Sequence, residues 1–274
     1  MTESGQPMTD AHDASSPPLP REELRDVIDL TLWSGQLLLQ HGAEAQRVEE
    51  TLHRLGTALG CNWMDIVVSP NGLFISTLSG EEFRTKVRRV VSLGVDMTKV
   101  SAINRLTQRV VDGELDRVRV RAELERIVGT PPHYPRWLVA GMVGLACAAF
   151  SRLMGGDWAV FGATFGAAAI AMAVRQELSR HHFNSLVIVI VTALVAGSVA
   201  GIFVRYGTGE NRQIALIASV LLLVPGVPLI NAAEDLIQGH ILIGLARGMT
   251  GALISLGIAL GLWLAMRIVG VSGL

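Results

Sequence analysis

The chain has 274 residues, of which 50% are hydrophobic and 17% charged, and its 23 Lys and Arg against 24 Asp and Glu leave a formal net charge of −1. That balance offers no electrostatic footprint for nucleic acid, which is excluded as a partner on this ground. A mean hydropathy of +0.43 is high for a soluble domain of this size. The apolar residues gather after Arg136, which predicts a soluble region followed by a membrane region.

Residues 1–20, MTESGQPMTDAHDASSPPLP, are polar, mildly acidic and proline-rich. They predict a disordered tail and lack the basic start and apolar core of a secretory signal, so the region that follows is expected in the cytoplasm. From Arg21 to Gln40 apolar residues recur at helical spacing up to His41-Gly42, and a second helix is predicted over Ala43–Leu59, stopping at Gly60. MDIVVS and GLFISTLS, separated by Pro70-Asn71, read as two strands, with Arg84–Ser92 as a third. Asp96 or Thr98 caps a further helix through Gln108, and a last one covers Asp116–Val128 before Gly129-Thr130-Pro131-Pro132. Residues 21–135 therefore predict a cytoplasmic α+β domain.

Within it the densest charged cluster is Glu44, Arg47 and Glu49-Glu50. Helical spacing pairs Glu44 with Arg47 and Glu50 with Arg54, either as a solvated face or, for Glu44 and Arg47, as a gate toward the membrane domain. His41, Asp65 and Ser69 supply hydrolase residue types, but no nucleophile elbow accompanies them and no enzyme is predicted. The basic run Arg84, Lys86, Arg88 and Arg89 reads as a charged edge strand, or as a face toward anionic headgroups. Cys61 lies in the soluble part and Cys147 in an apolar run, with no metal-ligand spacing, so neither metal nor cofactor is expected.

Residues 136–274 hold five stretches able to span a bilayer, near 137–154, 158–174, 183–204, 214–230 and 241–269. Trp137, Trp158, Phe183 and Trp263 stand near their ends, where aromatics favour the headgroup layer. The loop arginines do not decide orientation; with the amino-terminal domain inside, five spans put Leu274 outside. Gly162 and Gly166, Gly197 and Gly201, Gly244 and Gly248, and Gly257 and Gly261 are each four apart, a spacing that permits close helix packing and that also arises by chance. The predicted fold class is an α-helical polytopic membrane protein, one span of it broken by Pro-Gly, with an amino-terminal cytoplasmic α+β domain.

The stretch LLLVPGVPLINAAEDLIQGHILIGLAR, Leu221–Arg247, is too polar for simple anchoring. Pro225 and Pro228 deprive the carbonyls of Leu221 and Val224 of helical partners, and Gly226 lets the chain bend. Such breaks are tolerated at membrane depth only where protein or a wet cavity receives the freed groups, and transporters bind solute there. Asn231, Asp235 and Gln238 share a face if the helix resumes. The stretch therefore reads as the substrate site of a transporter; the plainer alternative is a kinked span whose polar residues cap a helix end at the cytoplasmic interface.

The segments HGAEAQRVEETLHRLGTALG, VVSPNGLFIS, GVDMTKVSAINRL and LLLVPGVPLINAAEDLIQGHILIGLARG resemble the threonine/serine exporter family of bacterial inner-membrane proteins. The resemblance runs from about residue 25 onward. The family's single-chain members join two membrane modules; with one, this chain is similar to the larger subunit of two-protein systems, some of them similar to succinate exporters. The resemblance implies multi-pass secondary export of threonine, serine or a C4 dicarboxylate across the inner membrane, with a second small membrane subunit, membrane lipid and a possible homo-oligomer as partners. It implies solute binding or gating at Pro225, Gly226, Pro228, Asn231, Asp235, Gly239 and Arg247. Arg247 suits a carboxylate, and Asp235 or Glu234 would carry a coupling proton, unless Asp235 and Arg247 simply form an ion pair between helices. The alternative is a non-transporting regulatory or assembly subunit whose cytoplasmic domain binds a partner.

Overall fold

Helix α1 (Arg21–Gln40) and helix α2 (Ala45–Ala58) form the expected hairpin. Leu24, Val27, Ile28, Leu30 and Leu38 of α1 and Val48, Leu52 and Leu55 of α2 are completely buried, the apolar stripes that the helical spacing places on one face. The turn between them needs Gly42, whose φ is +93° and whose missing side chain would stand 3.2 Å from the Gly94 carbonyl. In the computed structural model the described residues are 19–79, 82–90, 94–131, 134–207 and 211–271. Most of the predicted tail, Ser92 of the third strand, Pro132 of the predicted break and Leu274 fall outside them.

Strands β1 (Trp63–Ser69), β2 (Gly72–Ser79) and β3 (Glu82–Arg89) make an antiparallel meander in that order. Leu73 and Ile75 of β2 are fully buried, with partly buried Ile66 and Val68 of β1 packed on the same core. The outer face places Val67, Phe74 and Val87 in one cross-strand row, all exposed, with Trp63 and Phe83 exposed nearby. β3 is an edge strand, and its Lys86 reaches Asp29 of α1 at 2.6 Å, which fits the charged-edge reading of the basic run. Helix α3 (Met97–Val111) starts where Asp96 accepts from the Thr98 and Lys99 amides, and α4 (Arg117–Gly129) where Asp116 accepts from Arg119. The Glu44–Arg47 pair forms at 2.7 Å. Glu50 instead accepts from Gln46, and Arg54 donates to Gln108 on α3.

The chain divides into two units: residues up to Thr130 together with Val227–Gly248, and Pro131–Gly226 together with residues from Met249 onward. The segment 227–248, which the sequence places in the membrane half, thus belongs with the amino-terminal unit. It comprises nearly all of α9 (Gly226–Ile237) and the opening turns of α10 (Ile241–Val269). Ile243 joins the core that α1, α2 and the sheet build.

The second unit contains α5 (Arg136–Leu153), α6 (Trp158–Arg180), α7 (Ser185–Tyr206), the short α8 (Ile214–Ser219), a 3-10 turn (Leu221–Leu223) and the rest of α10. Its interior is lined by small residues, among them Ala167, Ala171, Ala196, Ala200 and Ala215, all fully buried, which lets helices approach closely. Among the described residues four helices, α5, α6, α7 and α10, are long and apolar enough to cross a membrane, or five if the interrupted pair Ile214–Leu223 and Gly226–Ile237 counts as one span. The interruption lies at Val224-Pro225, as the prolines require. The carbonyls they orphan are re-partnered locally: Leu221 O accepts from the Val224 amide at 3.2 Å and Val224 O from the Gly226 amide at 2.9 Å. Pro228 then falls in the first turn of α9, where a missing N–H costs nothing.

Candidate functional site

Helix α9 ends because Gly239 adopts φ +88°, allowing the His240 amide to bond the Asp235 carbonyl at 2.8 Å and the chain to reverse into α10. The two helices then pack around Gly244, where a β-carbon would lie 2.8 Å from Leu236 Cγ and 3.0 Å from the Ala232 carbonyl and the Leu236 amide nitrogen. That close approach brings Arg247 of α10 against Asp235 of α9. Arg247 Nη1 donates to Asp235 Oδ2 at 2.7 Å, with the two side chains 9% and 0% exposed.

The groups left over on this pair are taken by the α1–α2 turn. Asp235 Oδ1 accepts from the Ala45 amide at 2.9 Å, Arg247 Nη2 donates to the Ala43 carbonyl at 2.7 Å, and Asn231 Nδ2 donates to the Gly42 carbonyl at 2.8 Å. Asp235 therefore caps the amino terminus of α2 from a distant part of the chain, where a carboxylate is also favoured by the helix dipole. The residue in the local capping position, Glu44, makes no such bond; it holds Arg47 instead. A buried charged pair is stable only when its remaining lone pairs and protons are satisfied, and here backbone groups do this.

Of the residues singled out by sequence, Asn231, Asp235 and Arg247 converge on this cluster, and Gly239 shapes the turn beside it. Pro225, Gly226 and Pro228 set the start of α9. Glu234 and Gln238 are exposed, and the Glu44 and Arg47 side chains pair with each other at the start of α2. The participating backbone atoms of Gly42, Ala43 and Ala45 carry no signal in the sequence, since any residue supplies them.

A second feature adjoins the hairpin. Glu49 of α2 approaches His240 Nδ1 at 3.8 Å and lines an open cavity of about 480 Å³ with Glu50, His53, Arg54, Met64, Asp65 and Ile66. Burial holds the Glu49 carboxyl above its ordinary value, and Asp65 adds to this, while His240 and a Val68 backbone hydrogen bond pull it down. His41 in the α1–α2 turn is shifted the other way: burial and neighbouring Lys99 lower its pKa against the opposing effect of Asp96. No hydrogen bond joins His41, Asp65 and Ser69 among the described residues, and no group of three or more metal-ligating side chains is found among them either.

Residues 29–269 match the family model described as "Putative threonine/serine exporter". The chain belongs to the threonine/serine exporter family. It is a family of transporters, and among its members this chain is 38% identical to the Escherichia coli protein named "Probable succinate transporter subunit YjjP", over 92% of this chain and 98% of that one. It is 37% identical to the Klebsiella aerogenes protein of the same name, with the same coverage. A Mycobacterium tuberculosis protein named "Probable threonine/serine exporter" is 23% identical over 91% of this chain but only 47% of its own length. No solved structure matches this family member.

Proposed function

We propose that the chain is one subunit of a secondary transporter that exports small carboxylate-bearing metabolites, of the threonine/serine or succinate type, across the bacterial inner membrane. Its amino-terminal domain is cytoplasmic, its movement of solute is coupled to the proton gradient, and a second small membrane subunit completes it. The observation that carries the reading is the buried Asp235–Arg247 pair closed over by the backbone of residues 42–45. Arg247 is a planar fork suited to a carboxylate, and one arm of it is held only by a neutral carbonyl. A substrate carboxylate makes a stronger, charge-assisted bond than Ala43 O, so arrival of substrate displaces the turn. Protonation of Asp235 frees the other arm and weakens the α2 cap in the same step, which ties release of the turn to the proton.

The second subunit is supported by two facts. The relatives covered almost end to end are named as subunits, whereas the exporter of M. tuberculosis is about twice as long. In the second unit, helix α10 also leaves Met249, Leu256, Leu260 and Trp263 exposed, an apolar stripe for lipid or for that partner. A regulatory or assembly role is the second reading, favoured by the exposed outer row Val67, Phe74 and Val87 of the sheet.

The test is efflux from proteoliposomes preloaded with labelled threonine, serine or succinate, with this chain alone and with its candidate partner. Saturable efflux of one solute class only when both are present is expected. Efflux equal to that of empty vesicles in every combination, from correctly assembled protein, would leave the regulatory reading standing.

A further inference from the structure

Helix α6 carries Met172, Arg175, Gln176 and Ser179 on one face at helical spacing, followed by Arg180 at its end. With Arg136, the first residue of α5, they line an open cavity of about 440 Å³. Three arginines share this cavity, and among the described residues the one carboxylate in an ion pair with any of them is that of Glu177, with Arg136. It lies 3.9 Å from Arg136 Nη1, too far for a hydrogen bond, and 3.2 Å from His181 Nε2. Arg180 makes no ion pair with a described residue. Arg175, five residues and so about 7.5 Å deeper along the helix, donates to the Leu222 carbonyl at 3.1 Å, one of the five donors a guanidinium offers. Gln176 is fixed by a bond to the Arg136 carbonyl at 3.2 Å.

The cavity thus has cationic donors at its mouth and one deeper, with Met172 on its wall, at the end of two candidate spans. Trp137, next to Arg136, is 75% exposed, as an aromatic at the headgroup level would be. We propose that Arg136, Arg175 and Arg180 with Gln176 and Ser179 form a binding site for the phosphate of an anionic phospholipid headgroup, the lipid's apolar part running past Met172. Basic pockets between membrane helices suit such headgroups, and guanidinium forks suit phosphate oxygens. The proposal rests on the membrane reading of this unit but not on any role of Asp235 or Arg247.

The purified full chain in detergent is titrated with phosphatidylglycerol, cardiolipin or phosphatidylcholine, and bound lipid is counted by native mass spectrometry. Inorganic phosphate and glycerol 3-phosphate serve as soluble probes. The anionic lipids are expected to bind in preference to phosphatidylcholine. Replacing Arg136→Gln and Arg180→Gln together should weaken that binding about 25-fold, about 5-fold or 1 kcal/mol per arginine. Arg136→Lys with Arg180→Lys should restore most of it, and Arg152→Gln, at the other end of α5, should leave it unchanged. Unfolding midpoints recorded for each variant separate lost binding from lost structure. Equal binding of anionic and zwitterionic lipid, or unchanged binding in the glutamine pair with a normal midpoint, overturns the proposal. So does phosphate binding as tightly as lipid, which makes the site one for soluble anions. A chain that stays monodisperse without detergent overturns the membrane reading itself, a result visible before any lipid is added.

Discussion

Arg247 on α10 and Ala45 at the start of α2 are 202 positions apart in sequence, yet both bond the one carboxylate of Asp235, at 2.7 and 2.9 Å. Removing one member of a fully buried pair strands the other charge. Arg247→Ala is therefore expected to destabilise the amino-terminal unit by about 3–5 kcal/mol. Replacing both partners, with Asp235→Ala added, should cost clearly less than the sum of the single changes, because neither charge is then left alone. Chemical denaturation followed by the Trp33 and Trp63 fluorescence of that unit gives all three values; strict additivity would mean that the pair is not coupled.

The α1–α2 turn that rests on this pair contains His41, whose pKa is lowered by burial and by Lys99. A histidine with a folded pKa below its ordinary 6.5 stabilises the fold fully above that value, and the contribution is lost as pH falls through the lowered one. Thermal stability should therefore fall as pH drops below 6.5, and the Arg47–Glu44 side of the turn should lose amide protection in the same range. His41→Asn removes the titrating group and should flatten this part of the pH profile. A slope unchanged in the variant would assign the acid sensitivity elsewhere.

Local structure was legible where local chemistry decides it. Asp96 and Asp116 cap the helices they were expected to start, the Pro70-Asn71 turn joins the two strands read on either side of it, and Pro225 breaks the chain where it removes a donor. The site was legible only in its side chains: Asn231, Asp235 and Arg247 stood out as polar residues in apolar surroundings. Their partners are backbone atoms 189 to 204 residues away in the chain, which no periodicity encodes. Glu44 and Arg47, read as a gate or as a solvated face, pair with each other, and the bonds to Asn231, Arg247 and Asp235 come from the backbone of Gly42, Ala43 and Ala45. Helical spacing also allowed Glu50 to reach Arg54, but Gln108 on α3 lies closer to that arginine's donors.

The four glycine pairs, alike in sequence, part company in the structure, and substitution by alanine should separate them. At Gly261 a β-carbon would sit 2.5 Å from the Ile190 carbonyl and 2.7 Å from Ala193, and at Gly244 it would meet the backbone of α9. Neither neighbour can give way cheaply, so Gly244→Ala and Gly261→Ala should each cost about 1–3 kcal/mol. Gly162 and Gly166 meet nothing within 4 Å. Gly162→Ala is expected to be neutral or stabilising by up to about 1 kcal/mol through helix propensity alone. Unfolding midpoints in detergent check the sign at each site, and equal effects at Gly162 and Gly261 would contradict the packing described.

Arg247→Lys keeps the charge and loses the fork. One ammonium can neutralise Asp235 but cannot also hold Ala43 O and then exchange it for a substrate carboxylate in the same geometry. The variant should fold with a loss well below that of Arg247→Ala, while transport, if this pair binds solute, should fall at least about tenfold in apparent affinity, the equivalent of about 1.4 kcal/mol. Asp235→Asn should in addition make any residual efflux insensitive to the pH gradient, whereas Glu234→Gln, on the exposed side of α9, should leave both rate and pH dependence near those of the unaltered protein. Efflux assays across imposed pH gradients compare the three. Full, pH-dependent transport by the asparagine variant with normal folding would remove Asp235 as the proton carrier and leave the Arg247 pair a purely structural latch.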